Sequence, residues 1–145
     1  MQLTPHFSLD ELTRSDTAKR LDIRNEPNDV QIANLHTLAE SLEQVRTKLN
    51  SNPIWVTSAF RSMDLNRVIK SKDTSYHTYG LAADFTCPGY GDVPQVMRTL
   101  ANSSIEFDQL ILEHGSWIHI AFPKGTEKPR RQMLSISSSG VLIYE

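Results

Sequence analysis

A long amphipathic segment in the first third of the chain places the strongest constraint on its fold. Within residues 25–50, apolar side chains recur mostly three or four positions apart, which predicts one face of an α-helix. A helix of this kind is stable when its apolar face packs on another layer of structure, so the remaining segments must provide that layer. The members of the stripe are Val30, Ile32, Leu35, Leu38, Leu42, Val45 and Leu49.

The remaining segments alternate between short strands and helices. A capping box formed by Ser8 and Glu11 predicts a first helix that starts near Ser8. Later elements are predicted as strands at 54–60 and 80–87, helices at 62–71 and 93–103, a hairpin at 107–122 and a last strand pair around 138–140. This order and the length of 145 residues predict a single α+β domain spanning 1–145, with helices packed on a central antiparallel sheet.

Charge and composition argue against several classes of function. The net charge is −2 and the pI is near 6.2, so no nucleic-acid partner is expected. Cys87 is the sole cysteine, which rules out an intrachain disulfide and a cysteine zinc cluster. No stretch approaches the roughly 20 apolar residues of a membrane span, and the first residues lack the apolar core of a signal peptide. We therefore expect a monomer that is made in a cytoplasm and does not associate stably with membranes.

Two histidines and an aspartate lie in or beside the predicted strands. In "WIHIAF" the isoleucines point to one face and His119 to the other, and in "LAADF" Asp84 points away from its apolar neighbours. His77 lies just before the strand of Asp84. If the two strands are neighbours, the three side chains converge, and two imidazoles with one carboxylate suit a catalytic zinc site. Spacing alone also fits structural histidines and a capping aspartate.

A longer motif around these residues is more specific. The pattern S-x-H-x-x-G-x-A-x-D is complete at 75–84, and W-x-H follows at 117–119. Together with "FSLDELTRS", "TSAFRS" and "FDQLILE", it resembles the zinc peptidases of the D-Ala-D-Ala carboxypeptidase and L-Ala-D-Glu endopeptidase family, which cut peptidoglycan peptides. The resemblance spans nearly the whole chain and is strongest to compact phage and prophage members. It implies a hedgehog/D-Ala-D-Ala peptidase-like fold, with zinc held by His77, Asp84 and His119.

The resemblance also implies roles for residues near the metal. Arg61, in "TSAFRS", would contact substrate and stabilise the developing oxyanion, a task suited to a permanent cation with a planar fork of donors. Ser75 would hydrogen-bond substrate or orient a metal ligand.

The general base is harder to assign from the resemblance. Many family members carry a catalytic Glu or Asp three positions before the last histidine, where this chain has Ser116. We therefore assign the base to Glu113, which the predicted hairpin could bring back toward the metal. His114 is the second candidate and Asp108 the third.

These observations predict a zinc metallopeptidase that hydrolyses an amide bond in the peptide stem of bacterial peptidoglycan, as a phage endolysin. Such a protein would remain in the host cytoplasm without a signal peptide and act on the wall, in the periplasm, after release through a separate membrane pore. The alternatives are a zinc-bearing virion or structural module without catalysis, favoured by Ser116, and a cytosolic dipeptidase acting on free D-Ala-D-Ala. The bond that is cut depends on the shape of the groove, and L-Ala-D-Glu, D-Ala-D-Ala and cross-bridge amides all stay open.

Overall fold

A computed structural model describes all residues 1–145 and places the long amphipathic segment in helix α3, Asp29–Lys48. A capping box of Asn28 and Gln31 closes its first turn. The apolar positions from Leu35 onward are fully buried, which confirms the predicted face. Val30 is exposed and Ile32 is only half-buried, because both lie in the first turn of the helix.

The other elements are short and follow the predicted order. Ser8 caps the first helix as expected, because its hydroxyl accepts a hydrogen bond from the Glu11 N–H. Sequence patterns did not indicate β1, β2, α2 or the 3-10 turn. The elements are β1 (Gln2–Thr4), β2 (Phe7–Ser8), α1 (Leu9–Thr13), α2 (Asp16–Arg20), β3 (Trp55–Ser58), α4 (Met63–Val68), a 3-10 turn (Tyr76–Tyr79), β4 (Ala82–Thr86), α5 (Val93–Ala101), β5 (Gln109–Glu113), β6 (Trp117–Ala121), β7 (Gln132–Ser137) and β8 (Gly140–Ile143).

Six strands form one sheet in the order β3-β4-β6-β5-β7-β8. Its neighbours are antiparallel, except that β5 and β7 are parallel, so the predicted antiparallel sheet needs this one correction. The antiparallel strand β6 ends beside the start of β5 and already occupies one edge of β5. The chain then crosses to the other edge of β5 and begins β7 at that same end, so β7 runs in the direction of β5. The predicted α+β class is confirmed.

The central strands β4, β5 and β6 send alternate side chains to opposite faces of the sheet. One face packs with α3 and α5 in a buried cluster of 23 residues. The residues that these three strands contribute to that cluster are Ala83, Phe85, Leu110, Ile118 and Ile120. The opposite face carries Asp84, Glu113 and His119. No helix of the chain combines the length and the apolar character that a membrane crossing requires.

Candidate active site

Strand register brings the two strand residues of the predicted metal site together. Asp84 on β4 lies directly opposite His119 on β6, and His119 lies opposite Ile111 on β5. Residues opposite each other in a sheet share a face. The neighbouring strands that the sequence analysis required are therefore present, and both side chains point away from the core.

The 3-10 turn before β4 positions His77. The Ser75 hydroxyl caps this turn by accepting a hydrogen bond from the His77 N–H at 3.3 Å. Gly80 ends the turn in the left-handed region, with φ +77°, and a Cβ there would lie 3.0 Å from the Gln31 carbonyl oxygen and from Leu35 Cγ. Glycine alone satisfies both requirements, so Gly80 allows the turn to rest on α3.

Three potential metal ligands converge on one point. His77 Nε2 lies 3.2 Å from Asp84 Oδ1, and His119 Nδ1 lies 2.9 Å from the same oxygen. One ligand atom from each of the three residues lies within 4.8 Å of the others. Two imidazole nitrogens and a carboxylate oxygen are the donor types that zinc accepts in catalytic sites.

The hydrogen bonding of His77 supports a cation at this point. His77 Nδ1 lies 2.6 Å from the Ala59 carbonyl oxygen, which can only accept, so Nδ1 carries the proton. Burial lowers the pKa of His77 and outweighs the opposing effect of Asp84, so the neutral ring is favoured. The Nε2 lone pair of that ring then faces the lone pairs of Asp84 Oδ1. A bound cation would convert this repulsion into coordination, and the residues therefore fit a zinc ion.

The carboxylate of Asp84 is held in its ionised form. Burial by itself would raise its pKa, but the charges and hydrogen bonds of His77 and His119 more than offset that effect. The pKa of Asp84 therefore lies well below its ordinary value of 3.8. Asp84 is thus available as an anionic ligand across the pH range of most enzymes.

Arg61 lies beside the ligand group, with Nη2 3.6 Å from Asp84 Oδ2. Its Nε donates to Ser58 Oγ and its Nη1 to Asn66 Oδ1, each at 3.3 Å. The backbone of Arg61 is fixed as well, because its N–H donates to the His77 carbonyl at 3.0 Å. Sequence reasoning missed Asn66, which is fully buried and has no motif to mark it.

Glu113 faces the same side of the sheet as His119, because it pairs with Trp117 across the β5–β6 hairpin. Its side chain is half-buried and lines the cleft that contains the ligand group. Burial raises the pKa of Glu113 above its usual 4.5, and the effect of His119 opposes this only in part. A raised pKa brings a carboxylate closer to the value that suits a general base near neutral pH.

The other two candidates for the base are placed less favourably. His114 is exposed in the hairpin turn and does not line the cleft. Asp108 lines the cleft, but Arg130 Nε and Nη2 both donate to its carboxylate, at 3.1 and 2.8 Å. These hydrogen bonds lower the pKa of Asp108 and leave it a weak base.

The ligand group opens into a cleft of about 870 Å³ whose lining carries more cationic than anionic side chains. Sequence reasoning did not identify the lysines and Arg130 of this lining, because they lie outside the motif. The chemically relevant residues of the lining are Arg61, Lys70, Lys72, Ser75, Tyr76, His77, Asp84, Asp108, Glu113, Trp117, His119, Lys124 and Arg130.

Comparison with known proteins agrees with this geometry. The family model described as Peptidase M15 matches residues 5–121, which include all three potential metal ligands, Arg61 and Glu113. No curated protein matches the chain. M15 peptidases are zinc-dependent hydrolases, and the His77, Asp84 and His119 group is compatible with that chemistry. A match over most of the length of the chain, which includes a suitable donor set, shows that this protein belongs to the peptidase M15 family.

Proposed function

We propose that this peptidase hydrolyses an amide bond in the peptide stem of bacterial peptidoglycan and serves as a phage endolysin. The observation that carries the proposal is the convergence of His77, Asp84 and His119 at the floor of a polar cleft that also contains Glu113. The substrate rests on the resemblance of the Ser75–Asp84 and Trp117–His119 motifs to peptidoglycan peptidases.

His77 Nε2, Asp84 and one ring nitrogen of His119 would hold zinc. When bound, zinc lowers the pKa of a coordinated water and polarises the carbonyl of the scissile amide. The protein fixes these ligands before the metal arrives. Ala59 orients the ring of His77, and the β4–β6 register orients Asp84 and His119. Such pre-organisation avoids much of the entropic cost of ordering ligands on metal binding.

Glu113 is the proposed proton shuttle. Its carboxylate accepts a proton from the water that attacks the carbonyl carbon, and it donates that proton to the amide nitrogen as the C–N bond breaks. The products are a carboxylate and an amine. Arg61 supplies a fixed positive charge for the oxyanion that develops during the attack, since Ser58 and Asn66 hold its guanidinium in the cleft.

Ser75 acts in this scheme chiefly by orienting His77, because its hydroxyl accepts the His77 N–H. All residues of the proposed mechanism come from one chain, so the scheme requires no second copy. If the protein is an endolysin, it acts on the wall after its release from the host cytoplasm. The digestion experiment below therefore tests this location as well.

Digestion of purified sacculi tests the proposal. The zinc-loaded protein is incubated with Gram-negative and Gram-positive sacculi, with and without a chelator, and the released fragments are identified by mass spectrometry. We expect chelator-sensitive release of stem peptides, and the fragment masses identify the bond. Turnover of free D-Ala-D-Ala without action on sacculi would contradict the endolysin role and support a dipeptidase. Zinc binding without any cleavage would contradict both enzymatic functions and support a non-catalytic module.

A further inference from the structure

Lys124, in the loop after β6, is a cation held in place without a counter-ion. Its Nζ lies 4.1 Å from the ring centroid of Tyr79 and 4.9 Å from that of Tyr76. The two rings meet edge to face, with centroids 6.0 Å apart, so they form one aromatic surface under the ammonium. Cation–π contacts position a lysine without neutralising its charge, and Lys124 Nζ donates no hydrogen bond to another group of the protein.

The surroundings leave this charge uncompensated. Asp108 lines the same end of the cleft, but its carboxylate is paired with Arg130. Glu127 follows Lys124 by three residues, is exposed and forms no salt bridge with it. The whole cleft is lined by five lysine and arginine side chains and three carboxylates, in a chain whose net charge is −2. Positive charge is therefore concentrated at this site although the protein as a whole is slightly acidic.

Lys124 and Glu113 lie toward opposite ends of the cleft. Along β6, His119 is midway between Trp117, which pairs with Glu113, and Ala121, which precedes Lys124 by three residues. With a rise of about 3.3 Å per residue, each end of β6 is about 7 Å from His119. A peptide lying across the metal ligands would therefore have the proposed base on one side and Lys124 on the other.

We propose that Lys124, supported by Tyr76 and Tyr79, binds a free carboxylate of the substrate peptide on the side of the scissile amide opposite Glu113. The inference deepens the proposed function and rests on it. The ligand class is a peptide with a free carboxylate one or two residues from the bond that is cut. The tyrosines restrict the lysine before binding, so less side-chain entropy is lost when the carboxylate arrives.

Paired substrates test this inference. Three synthetic stem peptides are compared: one with all carboxylates free, one with the C-terminal carboxylate converted to the carboxamide, and one with the side-chain carboxylate so converted. The two amides distinguish the two sources of the carboxylate. For Lys124→Met we expect a loss of roughly 10-fold to 100-fold in kcat/KM on the free peptide, the size of one charge-assisted hydrogen bond. We expect almost no loss on the amide that lacks the carboxylate bound by Lys124, because that contact is already absent.

Two further variants control the result. Lys128→Met removes the same charge from the same loop at an exposed position outside the cleft, so its kcat/KM should match wild type. Lys124→Arg keeps the cation and should retain most of the preference for the carboxylate. The inference is overturned if Lys124→Met loses activity equally on all three peptides, or loses none.

Binding separates this inference from the proposed function. Zinc-loaded Glu113→Gln protein, with and without Lys124→Met, is titrated with the free peptide and the two amides by calorimetry. A carboxylate preference that disappears with Lys124→Met supports the inference even if wild type cleaves nothing, in which case only the hydrolytic function fails. Equal binding of the three peptides overturns the inference even if wild type cleaves them all.

Discussion

The two faces of strands β4, β5 and β6 are built from alternating residues of the same segments, yet they differ in almost every property. One face is apolar and closed by α3 and α5, and its side chains, such as Phe85 and Ile118, are fully buried. The other face opens into a cleft and carries Asp84, Glu113 and His119. Neighbours in the sequence thus belong to different environments.

The difference shows how this small chain separates stability from chemistry. Burial of apolar side chains on the core face supplies most of the favourable free energy of folding. The site face contributes little to that free energy, because it brings together histidines and charged groups that are costly to bury without partners. Substitutions at adjacent positions should therefore have effects of different kinds, and the following predictions test that separation.

Loss of a metal ligand should have the largest effect, and it should fall on activity. For His119→Ala we expect loss of bound zinc and a decrease in peptidase activity of at least about 10³-fold, because several kcal/mol of transition-state stabilisation depend on the metal. Zinc content and product release measure both effects. His36→Ala, on the exposed face of α3, is the control. Stoichiometric zinc in the His119 variant would show that the metal is held elsewhere.

Glu113→Gln should keep zinc but lose turnover. We expect kcat to decrease by about 10²-fold to 10⁴-fold, the usual contribution of a positioned general base. Because burial raises the pKa of Glu113, activity should fall as pH drops through a value above 4.5, and this acid limb should be absent from the variant's residual rate. The exposed Glu106→Gln is the control. Wild-type turnover by Glu113→Gln would transfer the role to another group.

Substitution of Ile118, which precedes His119 in β6 but faces the core, should lower stability instead of activity. For Ile118→Ala we expect a decrease of about 2–5 kcal/mol in the free energy of unfolding, from lost burial and the cavity that remains. The folded fraction should still bind zinc. Denaturant unfolding of the metal-free protein measures the change, with Val141→Ala on exposed β8 as the control. A change below about 1 kcal/mol would mean that the core tolerates the cavity better than its packing indicates.

The ion pair of Asp108 should contribute the smallest effect, one that depends on pH. Hydrogen bonds from Arg130 lower the pKa of Asp108 in the folded protein, so its contribution is present above the unfolded value near 3.8 and is lost as pH falls through the folded value. Asp108→Asn should therefore cost about 1–3 kcal/mol at pH 7 and progressively less below about pH 4. Unfolding of both proteins at several pH values measures this. A constant difference would contradict the ion-pair account.

Local patterns in the sequence predicted much of the fold. The apolar stripe of α3, the cap at Ser8 and the hairpin turn at 114–116 depend on residues close together in the chain, and all three are present. Alternation in β6 also predicted that His119 points away from the core. The short β1–β2 pair, α2 and the parallel β5–β7 pairing were not predicted, because packing between distant segments determines them.

The site was predictable to the extent that the motif covers it. The motif identified His77, Asp84 and His119, but their convergence depends on strand register, which spacing alone does not determine. Asn66, which holds Arg61, and Lys124 carry no local signature. Their positions depend on contacts between segments far apart in the sequence.

Zinc titration of the metal-free protein tests the central claim most directly. Zinc is added in steps while hydrolysis of a stem peptide and the bound metal are measured in the same samples. We predict that activity rises in proportion to bound zinc and reaches its plateau at one ion per chain, whereas the His119→Ala protein stays inactive throughout. Full activity before zinc is added, or saturation with one ion and no hydrolysis of any stem peptide, would contradict a zinc peptidase built on His77, Asp84 and His119.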